Sequence, residues 1–197
     1  MLAYVIMAII AYLIGSVNFS VIISKKMAGF DVREKGSGNA GTTNMLRSVG
    51  KKAAALTLIL DVLKGVLAIG IAILVAHIEQ EADPAIMVSV AGVFVVLGHT
   101  FPIFFGFKGG KGIATSLGVL LVINWQIGLI CLVFALILMA LTRMVSLGSI
   151  MAAILFPVLT MFIADNYIVE SIAENRLVYI IFGIVMAIIV LFNHRSN

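Results

Sequence analysis

Two stretches of this chain combine residue types suited to binding phosphate. The first, Gly106-Phe107-Lys108-Gly109-Gly110-Lys111-Gly112, packs four glycines and two lysines into seven residues between apolar segments. Glycine lets backbone N–H groups converge on one concavity and lysine adds movable positive charge, so the expected ligand is an anion. It is not a Walker A loop: Gly112 stands where that motif needs Ser or Thr, and no strand is expected before it. The second stretch is Gly36-Ser37-Gly38-Asn39-Ala40-Gly41-Thr42-Thr43-Asn44, with Arg47 three residues on. Ser37, Asn39, Thr42, Thr43 and Asn44 offer neutral hydrogen-bonding groups and Arg47 a bidentate fork, an inventory that fits a phosphorylated polyol. The ordinary alternatives are a solvated turn here and a flexible hairpin with snorkelling lysines at the first stretch.

A third cluster joins His194 and Asn197 to Arg143, Ser146 and Ser149. Taken alone, His194 reads as a cap on a helix C-terminus. The two serines can spend their hydroxyls on carbonyls of the preceding turn. Asp61 and Lys64, at i and i+3, share a helix face and can pair; a strut beneath the glycine loops and a functional ion pair are both open readings. Lys64 lies roughly 18 Å along the helix axis from Lys52, near mid-membrane. The sequence contains no His-x-x-x-x-Asp, no Cys/His metal cluster and no Gly-x-Ser-x-Gly elbow. No metal or other cofactor is therefore expected, and catalysis must come from positioning and electrostatics.

The elements that must position these residues are membrane helices. The 197 residues are 62% hydrophobic and only 11% charged, with a mean hydropathy of +1.21, which places the chain outside soluble composition. Long Ile/Leu/Val/Ala runs without period-2 alternation favour an all-α bundle over a barrel. Seven transmembrane helices are predicted in a single membrane domain spanning 1–197, at about 2–24, 53–76, 85–100, 112–123, 127–141, 144–164 and 177–192. The polar loops that carry the site are then 25–52 and 101–111. The spans around the second loop are short for the roughly 20 residues a crossing needs, so the loop's aromatic residues are expected to complete them at the interface. Residues 25–52 hold seven of the thirteen Lys/Arg, and of all thirteen only Arg176 falls on the opposite face. Glu79, Glu81, Asp83, Asp165, Glu170 and Glu174 lie on that face. The N-terminus is thus predicted outside, as a retained first helix, and the C-terminus cytoplasmic. The net charge of +4 is explained by this topology, and no nucleic-acid partner is expected. The single cysteine, Cys131, sits in an apolar run. A phosphate-compound carrier is the competing class, but its polar site would be open to both faces, and no repeat between the halves supports it.

The order and spacing of Gly36 to Asn44 with Arg47, of Asp61-x-x-Lys64-Gly65, and of Gly98-His99-Thr100-x-Pro102-x-Phe104-x-x-Phe107-Lys108-Gly109-Gly110-Lys111-Gly112-x-Ala114-Thr115 closely resemble the bacterial acyl-phosphate:glycerol-3-phosphate acyltransferase family. The resemblance covers the whole chain. It implies a seven-helix protein of the bacterial inner membrane that moves an acyl group from acyl phosphate to the 1-hydroxyl of glycerol 3-phosphate, giving lysophosphatidate and phosphate. No cofactor is implied; membrane lipid surrounds the protein, and an active site that one chain can complete suggests a monomer. Carried over by position, the resemblance gives the reaction to Ser37, Asn39, Arg47, Lys111, His194 and Asn197. It gives substrate binding to Gly38, Thr43, Asn44, His99, Lys108, Gly109, Gly110, Gly112, Arg143 and Ser149. The family's third motif continues past His-x-x-Asn into a basic tail, whereas this sequence ends at Asn197. The base that takes the hydroxyl proton is either His194 or a substrate phosphate oxygen. Because Lys111 is assigned to substrate phosphate and Lys108 to general attraction of anions, Lys111→Ala should cost far more activity than Lys108→Ala; equal losses of kcat/KM would refute the distinction.

Overall fold

The computed structural model describes residues 1–79, 81–163 and 175–195. Among them the chain is all-helical: α1 (Leu2–Gly15), α2 (Phe19–Ala28), α3 (Thr42–Ser48), α4 (Lys51–Ile78), α5 (Pro84–Thr100), α6 (Ile113–Ile123), α7 (Trp125–Thr142), α8 (Val145–Phe162) and α9 (Arg176–Asn193). Among the described residues six stretches are long and apolar enough to cross a membrane: Leu2–Ala28, Lys51–Ile78, Pro84–Phe105, Trp125–Thr142, Val145–Phe162 and Arg176–Asn193. The 11 residues of α6 span only about 16 Å, half the hydrocarbon thickness.

The bundle brings small residues to its helix crossings and turns many large aliphatic side chains outward. On α4 the buried face carries Ala53, Thr57, Asp61, Lys64, Ala68 and Ala72, at helical spacing, while Leu56, Ile59, Leu63, Leu67 and Leu74 face outward. Lipid tails are as apolar as leucine, so helices gain by close approach of small residues and not by hiding large ones. Two crossings show this directly. A methyl group added to Gly15 on α1 would overlap the Val95 carbonyl of α5, and one on Gly98 would overlap the Tyr12 carbonyl in return. Gly65 and Gly118 do the same for α4 and α6, meeting the carbonyls of Thr115 and Val62. Large side chains fill the middle, with Met7, Ile69, Val95, Val119 and Ile127 fully buried. Phe156 sits edge-on to Tyr179 and Phe182, at 6.0 and 5.9 Å between ring centroids.

The sequence predicts one helix over 2–24, and the chain instead breaks between Gly15 and Phe19. Asn18 causes the restart: its side chain accepts the Val21 N–H at 3.2 Å and the Ser20 hydroxyl at 2.7 Å, a cap in place of a helical turn. The second piece runs on to Gly29, whose φ of 75° ends it. The stretch 25–52 is correspondingly less of a loop than expected, since it contains the end of α2, a 3₁₀ turn at Val32–Glu34 and α3.

A break inside an apolar span leaves carbonyls without their helical partners. Lys64 answers it. Its Nζ donates to the Gly15 and Val17 carbonyls at 3.0 Å each and pairs with Asp61 Oδ1 at 2.9 Å, with both side chains almost wholly buried. Of the two readings left open for the pair, these contacts are the ones a strut would make, and they reach a broken helix as well as the neighbourhood of the loops. Removing the lysine alone leaves a buried carboxylate and two carbonyls unsatisfied, which costs about 3–5 kcal/mol. Lys64→Met should therefore lower the thermal midpoint of the detergent-solubilised protein markedly; an unchanged midpoint would show that the pair does not hold the break.

Candidate active site

Asn44 shapes the first loop from within. It is 1% exposed, and its Nδ2 donates to the carbonyls of Val32, Lys35 and Asn39 at 2.9–3.0 Å. Its Oδ1 accepts the Ser37 N–H at 3.0 Å and the Ser48 hydroxyl at 3.3 Å. The loop bends tightly around this amide. Gly36 has φ 59°, and a methyl there would strike Asn44 Oδ1. Asn44 thus works as a scaffold. Ser37, Thr43 and Arg47 are left exposed and Asn39 half-buried.

Arg33 clamps this loop to the glycine–lysine loop. Its Nε and Nη2 bind the two Asp31 oxygens at 3.0 and 2.8 Å, and its Nη1 donates to the Phe105 and Lys108 carbonyls at 2.6 and 3.0 Å. The guanidinium holds the Asp31 carboxyl down at about 2, so the clamp stays ionised at neutral pH. Gly109 N–H donates to the Thr100 carbonyl at 3.0 Å and Gly110 N–H to the His99 carbonyl at 3.1 Å, which folds the loop back onto the end of α5. The row of converging amides expected here is therefore partly spent inside the chain. Phe107 N–H is also used, on Pro102. What the glycines provide is close approach, ending in Gly112 at φ 85° before α6.

The end of α9 completes the wall. Asn193 Nδ2 donates to Thr100 Oγ1 at 3.1 Å and to the Lys111 carbonyl at 3.4 Å. His194 Nδ1 lies 2.8 Å from the Val190 carbonyl; a carbonyl only accepts, so Nδ1 carries the proton and Nε2 is the acceptor of the neutral ring. Burial, joined by the positive charge of Lys111, pushes the His194 pKa below its ordinary value. Burial also lowers that of half-buried Lys111. Across the cavity, Arg143 caps α7 with φ 60°, and Ser149 Oγ donates to the Val145 carbonyl at 2.9 Å, the backbone use foreseen for it.

These segments surround one cavity of about 1290 Å³. Ser37, Gly38, Asn39, Thr43, Asn44, Arg47, His99, Gly109, Lys111, Gly112, Arg143, Ser149 and His194 all line it. Lys108 is exposed and Gly110 is buried beneath the loop; neither is among the lining residues. Asn197 lies outside the described residues. Below the polar mouth the cavity continues between α4, α6, α7 and α8 along Leu58, Leu117, Leu132, Leu136 and Met139 towards Phe156 and Met186. Leu58 and Leu136 are also about half exposed on the outer surface, at 42% and 55%, so this apolar limb opens sideways between α4 and α7. Arg33 and Asn193 escaped the sequence analysis. Arg33 stood only in a charge count, and the sole signal for Asn193 was its place beside His194. The arrangement suits an amphiphile whose anionic head meets Arg47 and Lys111 while its chain lies in the trough.

The family model described as Glycerol-3-phosphate acyltransferase matches residues 5–197. A glycerol-3-phosphate acyltransferase of Clostridioides difficile (strain 630) is 39% identical over 195 residues, 99% of this chain and 90% of the relative. One from Thermoanaerobacter sp. (strain X514) is 43% identical over 193 residues, 98% and 89% of the two chains. Among crystal structures, PlsY (YgiH), an integral membrane glycerol 3-phosphate acyltransferase, in its glycerol 3-phosphate form is similar with a TM-score of 0.81 at 36% identity, covering 98% of this chain and 89% of the other. Its lysophosphatidic acid form gives 0.80 at 34%, with the same coverage.

The proximity of Lys111 to His194 has a measurable sign. In the substrate-free protein His194 should titrate below the ordinary imidazole value of ~6.5, and Lys111→Gln should raise its pKa, because one positive neighbour is removed. Imidazole NMR shifts followed against pH check this, and an unmoved His194 would disprove the coupling.

Proposed function

The chain belongs to the glycerol-3-phosphate acyltransferase family, and on that premise we propose that it takes its acyl group from acyl phosphate and transfers it to the 1-hydroxyl of glycerol 3-phosphate. The products are lysophosphatidate and inorganic phosphate. One observation carries the reading: a cationic mouth and an apolar trough share a single cavity, as a donor with a phosphate head and a fatty chain requires. Two phosphorylated substrates must lie side by side, so their mutual repulsion has to be cancelled. Arg47 and Lys111 supply that charge, and the same charge stabilises the departing phosphate.

In the transfer the hydroxyl oxygen of glycerol 3-phosphate bonds to the acyl carbon, the bond from that carbon to the phosphate oxygen breaks, and the hydroxyl proton leaves. His194 has its Nδ1–H held by the Val190 carbonyl, which fixes the ring at the cavity wall. We assign the proton to a substrate phosphate oxygen already lying beside the hydroxyl, and to His194 the positioning of the reacting groups. Ser37, Asn39 and Thr43 provide neutral contacts around the polar head, with Asn197 carried here from the sequence motif alone.

The proposed setting is the bacterial cytoplasmic membrane, with a monomer crossing seven times. Its N-terminus is outside and its site and C-terminus face the cytoplasm. The placement of Lys25, Lys26, Arg33, Lys35, Arg47, Lys51 and Lys52 on the site's face supports this orientation. The seventh crossing is α6, completed by Phe101, Phe104 and Phe107, which are exposed beside the glycine loop. Purified protein given acyl phosphate and glycerol 3-phosphate should release phosphate only when both are present. An equal rate with acyl-CoA in place of acyl phosphate, or phosphate release without glycerol 3-phosphate, would overturn the proposal.

A further inference from the structure

Beneath the glycine–lysine loop lies a chain of buried polar contacts that the proposed reaction leaves without a task. It begins at the break between α1 and α2, where Lys64 Nζ holds the Gly15 and Val17 carbonyls. It passes to Asp61 Oδ1, 2.9 Å from Lys64 Nζ and 3.5 Å from His99 Nδ1. It ends where the His99 carbonyl accepts the Gly110 N–H at 3.1 Å. All three side chains are buried, with Asp61 at 2%, Lys64 at 4% and His99 at 5% exposure.

The fit between His99 and Gly110 is tight. A methyl group on Gly110 would run into His99 Nε2 and come within 2.6 Å of the Ala40 carbonyl, so the loop rests on the imidazole edge with Ala40 on its other side. Ala40 N–H in turn donates to the Gly109 carbonyl at 3.4 Å. The height of Gly110, and of Lys111 next to it, is therefore set by the ring of His99. The orientation of that ring is set by Asp61, whose other neighbour, Lys64, is pinned to backbone. A second tether runs in parallel: Tyr12 OH donates to the Phe101 carbonyl at 2.6 Å, and the Ile103 N–H reaches Ser16 Oγ at 3.4 Å. The broken first helix thus anchors the end of α5 from which the loop departs.

We propose that Asp61 and His99 are positioning residues for the glycerol 3-phosphate side of the site. His99 seats Gly110 and Lys111 at the height where Lys111 meets phosphate, and Asp61 fixes the ring against the Lys64-capped helix break. This assigns His99 a role beneath the loop instead of the direct substrate contact expected from its motif. It rests on the function proposed above for the identity of the ligand. The chemistry calls for a rigid support, because misplacing a binding group by about 1 Å can cost up to ~100-fold.

The test compares wild type with His99→Gln and Asp61→Asn in detergent, measuring glycerol 3-phosphate Kd by calorimetry together with kcat and both KM values. His99→Gln should raise the glycerol 3-phosphate Kd and KM about 10-fold, with a smaller rise in the acyl phosphate KM and a fall in kcat smaller than the rise in Kd, since Lys111 also serves the departing phosphate. Asp61→Asn keeps the size and one oxygen toward His99, and should show the same pattern at about 3-fold. It also serves as the informative variant should His99→Gln not accumulate. Unchanged glycerol 3-phosphate Kd and KM in the variants overturns the proposal. So does a collapse of kcat at unchanged Kd with loss of the acid limb of the pH–rate profile, which would make the pair a proton relay. Wild-type protein that binds glycerol 3-phosphate without releasing phosphate would sink the proposed reaction while the Kd comparison still decides this point. Wild-type protein that does not bind glycerol 3-phosphate would overturn both.

Discussion

A lysine ammonium buried where no water reaches must be met by oxygen, and the rest of this structure depends on how Lys64 is met. Two of its partners are main-chain carbonyls that exist as acceptors only because the first helix is broken, and the third is the Asp61 carboxylate. The break and the charge pair are therefore each other's solution. A continuous helix would consume its own carbonyls, and a break without a donor would leave them stranded in hydrocarbon. The contact also fixes α1, α2 and α4 relative to one another at the depth where the polar end of the cavity begins.

Around that point the helices are brought together by small residues. Gly15 against Val95, Gly98 against Tyr12, and Gly65 with Gly118 between α4 and α6 leave no room for a side chain at the crossings. Such approach needs no hydrophobic driving force, which lipid does not supply between helices. It leaves α4, α7 and α8 with large aliphatic side chains directed outward. At the polar end of the cavity the logic changes to one of hydrogen bonds. Asn44 and Arg33 between them satisfy seven loop or side-chain partners within reach of the cavity and hold two loops at fixed spacing.

Much of this was legible in the residues alone. Composition fixes a helical membrane protein, because a chain with so little charge cannot be soluble, and clustering of lysine, arginine and glycine marks the loops that line the cavity. Ser37, Asn39, Arg47, Lys111 and His194 are brought to one cavity as the motifs imply. The break after Gly15 was not visible, since a run from Leu2 to Ser24 has the same hydropathy whether or not it bends. Only Asn18 hinted at it, and asparagine also occurs within helices. Arg33 and Asn193 bind main-chain carbonyls, and such partners leave no trace in side-chain spacing. Glycines spaced for an amide cradle look the same as glycines spaced for close packing. Gly110, buried against His99, belongs to the second kind.

The sideways opening of the apolar trough between Leu58 and Leu136 changes what concentration means for this protein. A fatty substrate that enters through the flank comes from the bilayer and is counted per unit of membrane, whereas glycerol 3-phosphate arrives at the mouth from water and is counted per unit of volume. Diluting the membrane with added lipid would thin out one substrate and leave the other unchanged. On the proposed reaction, an acylated product whose chain occupies the trough would slide back into the leaflet without that chain ever being dissolved in water.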